Sequence, residues 1–445
     1  MTYTPIRGSG ITQQLDAMPF TALHRRLLMA VGAGLLVDGI DVYLTGGVSA
    51  ALVRNGVVTL AQAGHIAVAT GLGLGLGGLL CGFIADRVGR RRTMQMTLLL
   101  VICGSIGAAL SSSLDQLLAW RLLTALGLGG ETVLGYGLIS EFAPPDRRGR
   151  WLALTGFFAN LGMPLALLAG FLVLPHPDGW RWALAMPAVL AIGVFVLRLR
   201  LPESPRWLLE RGRADDAAAI LGQFVASRQL GHARAAPLVA LACPADDSPR
   251  DDRSTPFRRL IAAAAINVAI MSAIFGFVSW LPTFFIAEGR DIASSTLFSA
   301  VLAMGAPAGT LIGLFFADRV ERKWGVVASS IVAALLGVFY AFAKTDNAIL
   351  IIGFLVVTTI YVFGTLGMVG YVPELFPTAY RMRAIGISAT IGRIVVIFLP
   401  FLIVPLFTAA GQAGIVALVS SLLIIQAILV AFFGVKTRGR SLEAI

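Results

Sequence analysis

Charge is scarce in this chain: of 445 residues only 59 are charged, 35 basic and 24 acidic, while 57% are apolar. So little charge excludes a disordered chain, and it excludes an ordinary soluble domain, where about a quarter of residues are charged. Cysteine is almost missing. Cys81, Cys103 and Cys243 are scattered, odd in number and far from any C-x-x-C spacing, so they imply neither a disulfide framework nor a zinc site. Histidine is equally sparse: His24, His65, His176 and His232 stand apart at span ends or in loops, which leaves no metal-ligand set or histidine cluster to recommend an enzyme. None of Asn55, Asn160, Asn267 or Asn347 opens an N-x-Ser/Thr acceptor. The first 23 residues, with Arg7 and Asp16, lack the basic, apolar, small-residue order of a cleaved signal and read as a short cytoplasmic tail.

Apolar sequence is what the chain has in abundance. A helix needs roughly 20 apolar residues to cross about 30 Å of hydrocarbon, so twelve crossings use about 240, close to the apolar content here. Charge-poor stretches recur near 24–53, 65–85, 93–113, 116–140, 151–174, 181–199, 259–287, 293–317, 324–343, 347–372, 384–409 and 413–435, which predicts twelve transmembrane helices. With both termini inside, 29 of the 35 basic residues fall in inside segments, and the outside loops hold only Arg54, Arg181, Arg290 and Lys344. That bias predicts cytoplasmic termini and explains the net charge of +11 without a nucleic-acid partner. The stretch 201–258 breaks the pattern, crowding Pro202, Pro205, Asp215, Asp216, Asp246, Asp247, Asp251 and Asp252 among arginines. It predicts a cytoplasmic linker with short helices between two six-helix bundles, 1–200 and 259–445.

The two bundles read as copies. Ala85-Asp86-Arg87-Val88 recurs as Ala317-Asp318-Arg319-Val320, and E-x-x-P-x-x-x-R-x-R occurs at Glu141–Arg150 and again at Glu374–Arg383. Two different motifs repeating at offsets of 232 and 233 point to a parallel repeat with a substrate site between the halves at the bilayer midplane. Gly73-Leu74-Gly75-Leu76-Gly77-Gly78 satisfies G-x-G-x-x-G, yet it lies inside an uncharged span with no preceding strand, so close helix packing explains it.

The run Gly82 to Arg92 between the second and third spans resembles the signature loop of the major facilitator superfamily. Together with Glu141-Phe142-Ala143-Pro144, Pro202-Glu203-Ser204-Pro205-Arg206-Trp207-Leu208 and Pro373-Glu374-Leu375-Phe376-Pro377-Thr378, it is similar to the sugar-porter and metabolite:proton symporter branch. Gly305-Ala306-Pro307, Gly392-Arg393 and the run Lys436 to Glu443 are similar to bacterial inner-membrane metabolite transporters of that branch. The resemblance implies an all-α membrane protein, twelve helices in two pseudo-symmetric bundles that transport by alternating access. At the inner helix ends, Asp86, Arg87, Arg90, Glu141, Arg150, Asp318, Arg319, Glu374 and Arg383 form a candidate cytoplasmic gate, because charge-assisted pairs can hold one closed arrangement and part in another. The plainer reading of any single arginine is topology, although topology alone does not ask for carboxylates in register.

Five ionisable residues lie inside the spans, where an unpaired charge costs from about 3 to more than 10 kcal/mol: Asp38, Asp41, Arg121, Glu131 and Arg393. At 1.5 Å per residue, Asp41 and Arg121 reach similar depth in the outer half. The family resemblance independently implies a proton-coupling aspartate on helix 1 and arginine on helix 4, and these are the matching positions. A static strut is the alternative. Asp38, one turn from Asp41, either extends that pair into a relay or bonds locally. Glu131 is placed to bind a cationic or hydroxylated substrate group or to take a second proton. Arg393, near the midplane, wants an anion, either a substrate carboxylate or Glu131. Asn160, Asn267, Trp280, Tyr361 and Tyr371 are candidate cavity contacts, with lipid-facing or interfacial packing as the other reading.

The sugar-porter glutamine of helix 5 falls on Gly156, and of the helix 7 polar motif only Asn267 remains, which disfavours a hexose. The expected activity is proton-coupled uptake of a small metabolite, an organic acid or sugar acid, by a monomer that needs the bilayer, a substrate and a proton but no cofactor, metal or nucleic acid. Proton-antiport efflux of drugs or metabolites is the alternative, weakened because Gly162-Met163-Pro164 lacks the glycine-proline-glycine run of drug antiporters. A transporter-like receptor is the third.

Overall fold

The computed structural model describes residues 8–18, 20–145, 147–174, 176–229, 256–281, 284–285, 298 and 301–438, and among them every regular element is helical. In chain order the α-helices are α1 Gly8–Asp16, α2 Ala22–Arg54, α3 Leu60–Val88, α4 Arg90–Ala109, α5 Leu114–Phe142, α6 Arg148–Val173, α7 Gly179–Arg198, α8 Pro205–Glu210, α9 Ala214–Gln229, α10 Pro256–Gly276, α11 Gly305–Phe316, α12 Arg322–Ala341, α13 Asp346–Gly364 and α14 Arg381–Phe433. Eleven segments among the described residues are long and apolar enough to span a bilayer. They fall on eleven of the twelve predicted stretches; the remaining one ends in the shorter apolar helix Val301–Phe316, and most of its first part, 293–300, lies outside the described residues. The linker contributes α8 and α9, while 230–255 lies outside the described residues.

Local chemistry sets the helix ends. Thr21 with His24, and Thr59 with Gln62, form reciprocal capping boxes at the starts of α2 and α3, and Ser113, Ser204 and Thr345 cap α5, α8 and α13. α14 runs for 53 residues, about 80 Å at 1.5 Å per residue and far too long for one crossing. Gly411, at φ 59° and ψ −152°, breaks it into two crossings. That backbone lies in a region only glycine tolerates readily.

The packing joins the two halves. α2 rests on α6 and α7, α3 and α4 on α5, α4 on α7, and α10 and α12 on α14, while α3–α14 and α6–α11 are the broadest helix contacts between first and second half. The glycine run of α3 serves two of these contacts at once. A β-carbon on Gly73 would lie 2.5 Å from Ala125 and 2.6 Å from the Leu122 carbonyl of α5, so the absent side chain is what permits the approach. On the neighbouring face, the carbonyls of Leu74 and Gly75 accept bonds from Arg393 and Thr390 of α14 at 2.7 and 2.8 Å. Leu72, Leu76 and Leu80 line the outer face at 44–51% exposure. In a chain of membrane spans such a stripe faces lipid.

Candidate functional site

Two constellations of buried charge stand out among the described residues. The first gathers where the α3–α4, α5–α6, α7–α8 and α11–α12 connections and the segment before α14 meet, here called the basic end. Gly89, at φ 109°, turns the chain sharply between α3 and α4 and leaves Arg90 as the first residue of α4, 0% exposed. Arg90 holds Asp86 at 3.1 Å and Glu141 at 2.8 Å. In the second half Arg322 holds Asp318 at 3.4 Å and Glu374 at 2.7 Å. Each carboxylate then takes an arginine from the opposite half: Glu141 meets Arg381 at 3.2 Å, Glu374 meets Arg148 at 3.9 Å, Asp86 meets Arg383 at 3.1 Å and Asp318 meets Arg150 at 3.9 Å. Ser204 bonds Glu141, and Thr437 donates to Glu374 at 2.6 Å. All six equivalent positions obey the repeat: 86 to 318 and 90 to 322 are 232 apart, and 141 to 374, 148 to 381, 150 to 383 and 204 to 437 are 233 apart.

This lattice departs from the expected gate in membership. Arg87 and Arg319 are exposed, and Arg319 lies over the Phe315 ring at 3.6 Å, so neither bridges the halves among the described contacts. Arg148, Arg322 and Arg381, absent from the expected set, are 0–2% exposed and stand at its centre. The first half adds pieces of its own. Asp16 of α1 pairs with Arg206, which donates to the Glu141 carbonyl at 2.8 Å, and Glu203 accepts the backbone N–H groups of Arg90 and Arg91 at 2.9 and 3.2 Å. Burial raises the Glu203 carboxyl above its ordinary value against those donors, and burial likewise raises Asp318 against Arg322 and Arg150.

The second constellation lies within the membrane. Asp41 on α2 and Arg121 on α5, 2% and 0% exposed, form a two-pronged pair at 2.9 and 2.8 Å, and Arg121 also donates to Thr45 at 2.8 Å. Depth counting placed these residues at one level, and the helices put them face to face. One turn away, Asp38 accepts a 2.6 Å bond from Thr132, and its other oxygen is buried without a hydrogen bond. Arg393 does not meet Glu131 as one reading expected. Its acidic neighbour is Asp38 of the other half, and it donates to the Leu74 carbonyl at 2.7 Å. Glu131 instead pairs with Arg198, the last residue of α7, at 2.5 Å and accepts from Thr97 at 3.0 Å.

Arg393 also lines a small cavity between the halves with Thr132 and Tyr136 of α5, Asn267 and Met271 of α10, and Met368. Its volume is about 60 Å³. A water needs roughly 10–15 Å³ of such space and ligand pockets run to about 300–1,000 Å³, so this conformation has room for a few waters and not for a metabolite. Of the other candidate contacts, Asn267 bonds Ser388 at 3.4 Å, Asn160 crosses to Thr310 at 2.9 Å, Tyr361 bonds Tyr43, and Trp280 stacks on Phe284 with ring centres 6.2 Å apart. Tyr371 leaves the group: its buried hydroxyl donates to the Val435 carbonyl at 2.7 Å and pins the chain after α14.

Residues 28–445 match the family described as "Sugar (and other) transporter". The chain belongs to that family. Within this sugar-porter-like part of the major facilitator superfamily it is 29% identical to the inner membrane metabolite transport protein YdjE of Escherichia coli, over 98% of each chain. It is 27% identical to the niacin transporter NiaP of Acinetobacter baylyi, over 98% of this chain and 99% of that one. Its fold is similar to that of the proton:xylose symporter XylE bound to 6-bromo-6-deoxy-D-glucose, with a TM-score of 0.78 at 18% identity, covering 95% of this chain and 98% of that one. The protein is therefore a multi-pass membrane transporter of small molecules in the sugar-porter-like family. The lattice at the basic end joins the two halves by ion pairs, and the cavity lined by Arg393 lies between them.

Proposed function

We propose that this transporter carries a small organic acid together with protons, by alternating access, into a bacterial cell across the inner membrane, with the basic end toward the cytoplasm. The observation that carries the proton part is the buried Asp41–Arg121 pair within one half. An aspartate beside arginine is held ionised, and it takes up a proton once the arginine withdraws in low dielectric. Rearrangement of α2 against α5 therefore exchanges an ion pair for a bound proton, and a bidentate pair makes that exchange discrete. The similarity to a proton:xylose symporter supports the same reading.

The acid part rests on Arg393, which lines the cavity and has Asp38 as its acidic neighbour. A substrate carboxylate competes with Asp38 for the guanidinium and thereby couples substrate entry to the charge on α2. The relative named as a niacin transporter supports a carboxylate cargo. The closed basic end, with eight cross-half and within-half ion pairs in register, supports a resting conformation shut on the cytoplasmic side. A thermal-shift screen of carboxylates and polyols on the purified protein tests the cargo class. Stabilisation by carboxylates, lost in Arg393→Gln, is expected; stabilisation by neutral polyols alone overturns the acid reading.

A further inference from the structure

Arg198 is the unexplained charge of the first half. It is 1% exposed although it is the last residue of α7, and Leu199, the next residue, is 47% exposed. The guanidinium turns inward instead of following the chain to water. Nη2 lies 2.5 Å from Glu131 and donates to the Val31 carbonyl at 3.3 Å, while Nε donates to the Ala30 carbonyl at 2.9 Å. Arg198 thus grips the backbone of α2, the helix that carries Asp38 and Asp41 two to three turns further on. Gly34 makes the fit possible, because a β-carbon there would collide with both Arg198 and Glu131.

The grip depends on one charge. Glu131 is faced by Arg198 from α7, Thr97 from α4, Cys81 from α3 and Asp38 from α2, and Arg198 is the cation among them. If Glu131 is neutral, Arg198 becomes a buried cation without a counter-charge, with its Nη1 already lacking a hydrogen-bond partner. A long arginine side chain one residue from the exposed end of its helix has an alternative: it extends to the water–membrane boundary. Two arrangements are therefore available, chosen by a proton.

We propose that Arg198 is a positioning residue that fastens α2 to Glu131 while that carboxylate is ionised and swings to the basic end when Glu131 takes up a proton. The step is a single protonation, with no bond made or broken beyond O–H, and it frees the Ala30 and Val31 carbonyls. It deepens the proton-coupled reading and rests on it for the consequence in transport: α2 is released by a second titrating group distinct from Asp41.

Hydrogen exchange on the full-length protein in lipid nanodiscs tests this without a substrate. In a peptide covering 28–36, exchange corrected for the chemical rate should rise about tenfold between pH 8 and pH 5 in the wild type. Asp41→Asn should keep that rise, Glu131→Gln should exchange fast at every pH, and Arg198→Lys, which retains the charge but loses the fork, should give a smaller rise. A flat wild-type profile overturns the proposal, as does a Glu131→Gln protein that retains the wild-type rise. The wild-type and Asp41→Asn profiles decide the matter even if Glu131→Gln fails to fold. A flat profile alongside lost accumulation in Asp41→Asn sinks this inference alone; full accumulation in Asp41→Asn sinks the coupling role of Asp41 and leaves the exchange result standing.

Discussion

At the basic end the two halves of the molecule are near copies; inside the membrane they are opposites. Six residue pairs related by 232 or 233 positions build the same lattice twice. Midway through the spans, however, the first half carries Asp38, Asp41, Arg121 and Glu131, whereas at the offset of 232 Asp41, Arg121 and Glu131 correspond to Ala273, Gly353 and Phe363. Arg393 is the charge that the second half presents to the cavity. Closure is a contact between two surfaces and so gains from symmetry, since each half supplies carboxylates and arginines to the other. The proposed coupling needs titrating carboxylates whose arginine partners can withdraw, and one half is enough to hold them. Duplicated closure and one-sided coupling are thus different demands on the same repeat.

The symmetry is broken most severely by removing a buried carboxylate. Glu141→Gln and Glu374→Gln each remove a buried carboxylate that joins an arginine of its own half to one of the other, and loss of one partner from a buried pair costs about 3–5 kcal/mol. That is enough to turn a 1:99 mixture of conformers toward the open form. Cysteine labelling at the basic end should rise sharply and by similar amounts in both variants; a rise in one alone would mean the halves are not equivalent. Arg393→Gln should weaken binding of a carboxylate ligand by about 2–4 kcal/mol, and Arg393→Lys by less, because the lysine keeps charge without the bidentate fork. Since Asp38 is its acidic neighbour, the double variant Arg393→Gln, Asp38→Asn should recover any melting temperature that the single variant loses. The smallest effects belong to the exposed arginines. Arg150 and Arg383 have side chains 56% and 41% exposed, so alanine at either should change stability by under about 1 kcal/mol. Arg383, at 3.1 Å from its partner, should lose more than Arg150 at 3.9 Å.

Much of this architecture was legible in the sequence because length, charge and repetition are one-dimensional quantities. Spans follow from apolar run length, and depth counting brought Asp41 level with Arg121. What failed was direction around a helix. The motif E-x-x-P-x-x-x-R-x-R contains two arginines per copy, and two residues apart on a helix they point roughly 200° away from each other. Arg148 and Arg381 therefore turn into the protein while Arg150 and Arg383, the residues expected at the gate, lie at its surface. The same blindness offered Glu131, beside a substrate carboxylate, as a counter-charge for Arg393, whose acidic neighbour is Asp38. Arg198 escaped for another reason: its backbone sits at a span end, where basic residues signal topology, yet its side chain reaches back inside. A partnerless Glu131 in the middle of a span was the clue that such a cation had to exist.

Proton-driven accumulation tests the one-sided coupling most directly. Wild-type protein and Asp41→Asn are reconstituted into liposomes, supplied with a radiolabelled carboxylate from the thermal-shift screen, and compared for uptake driven by a pH gradient and for counterflow exchange at equal pH. The account predicts that Asp41→Asn reaches no accumulation above equilibrium while counterflow continues, because an amide keeps a hydrogen bond to Arg121 but carries no proton. Accumulation at the wild-type level in Asp41→Asn would contradict it.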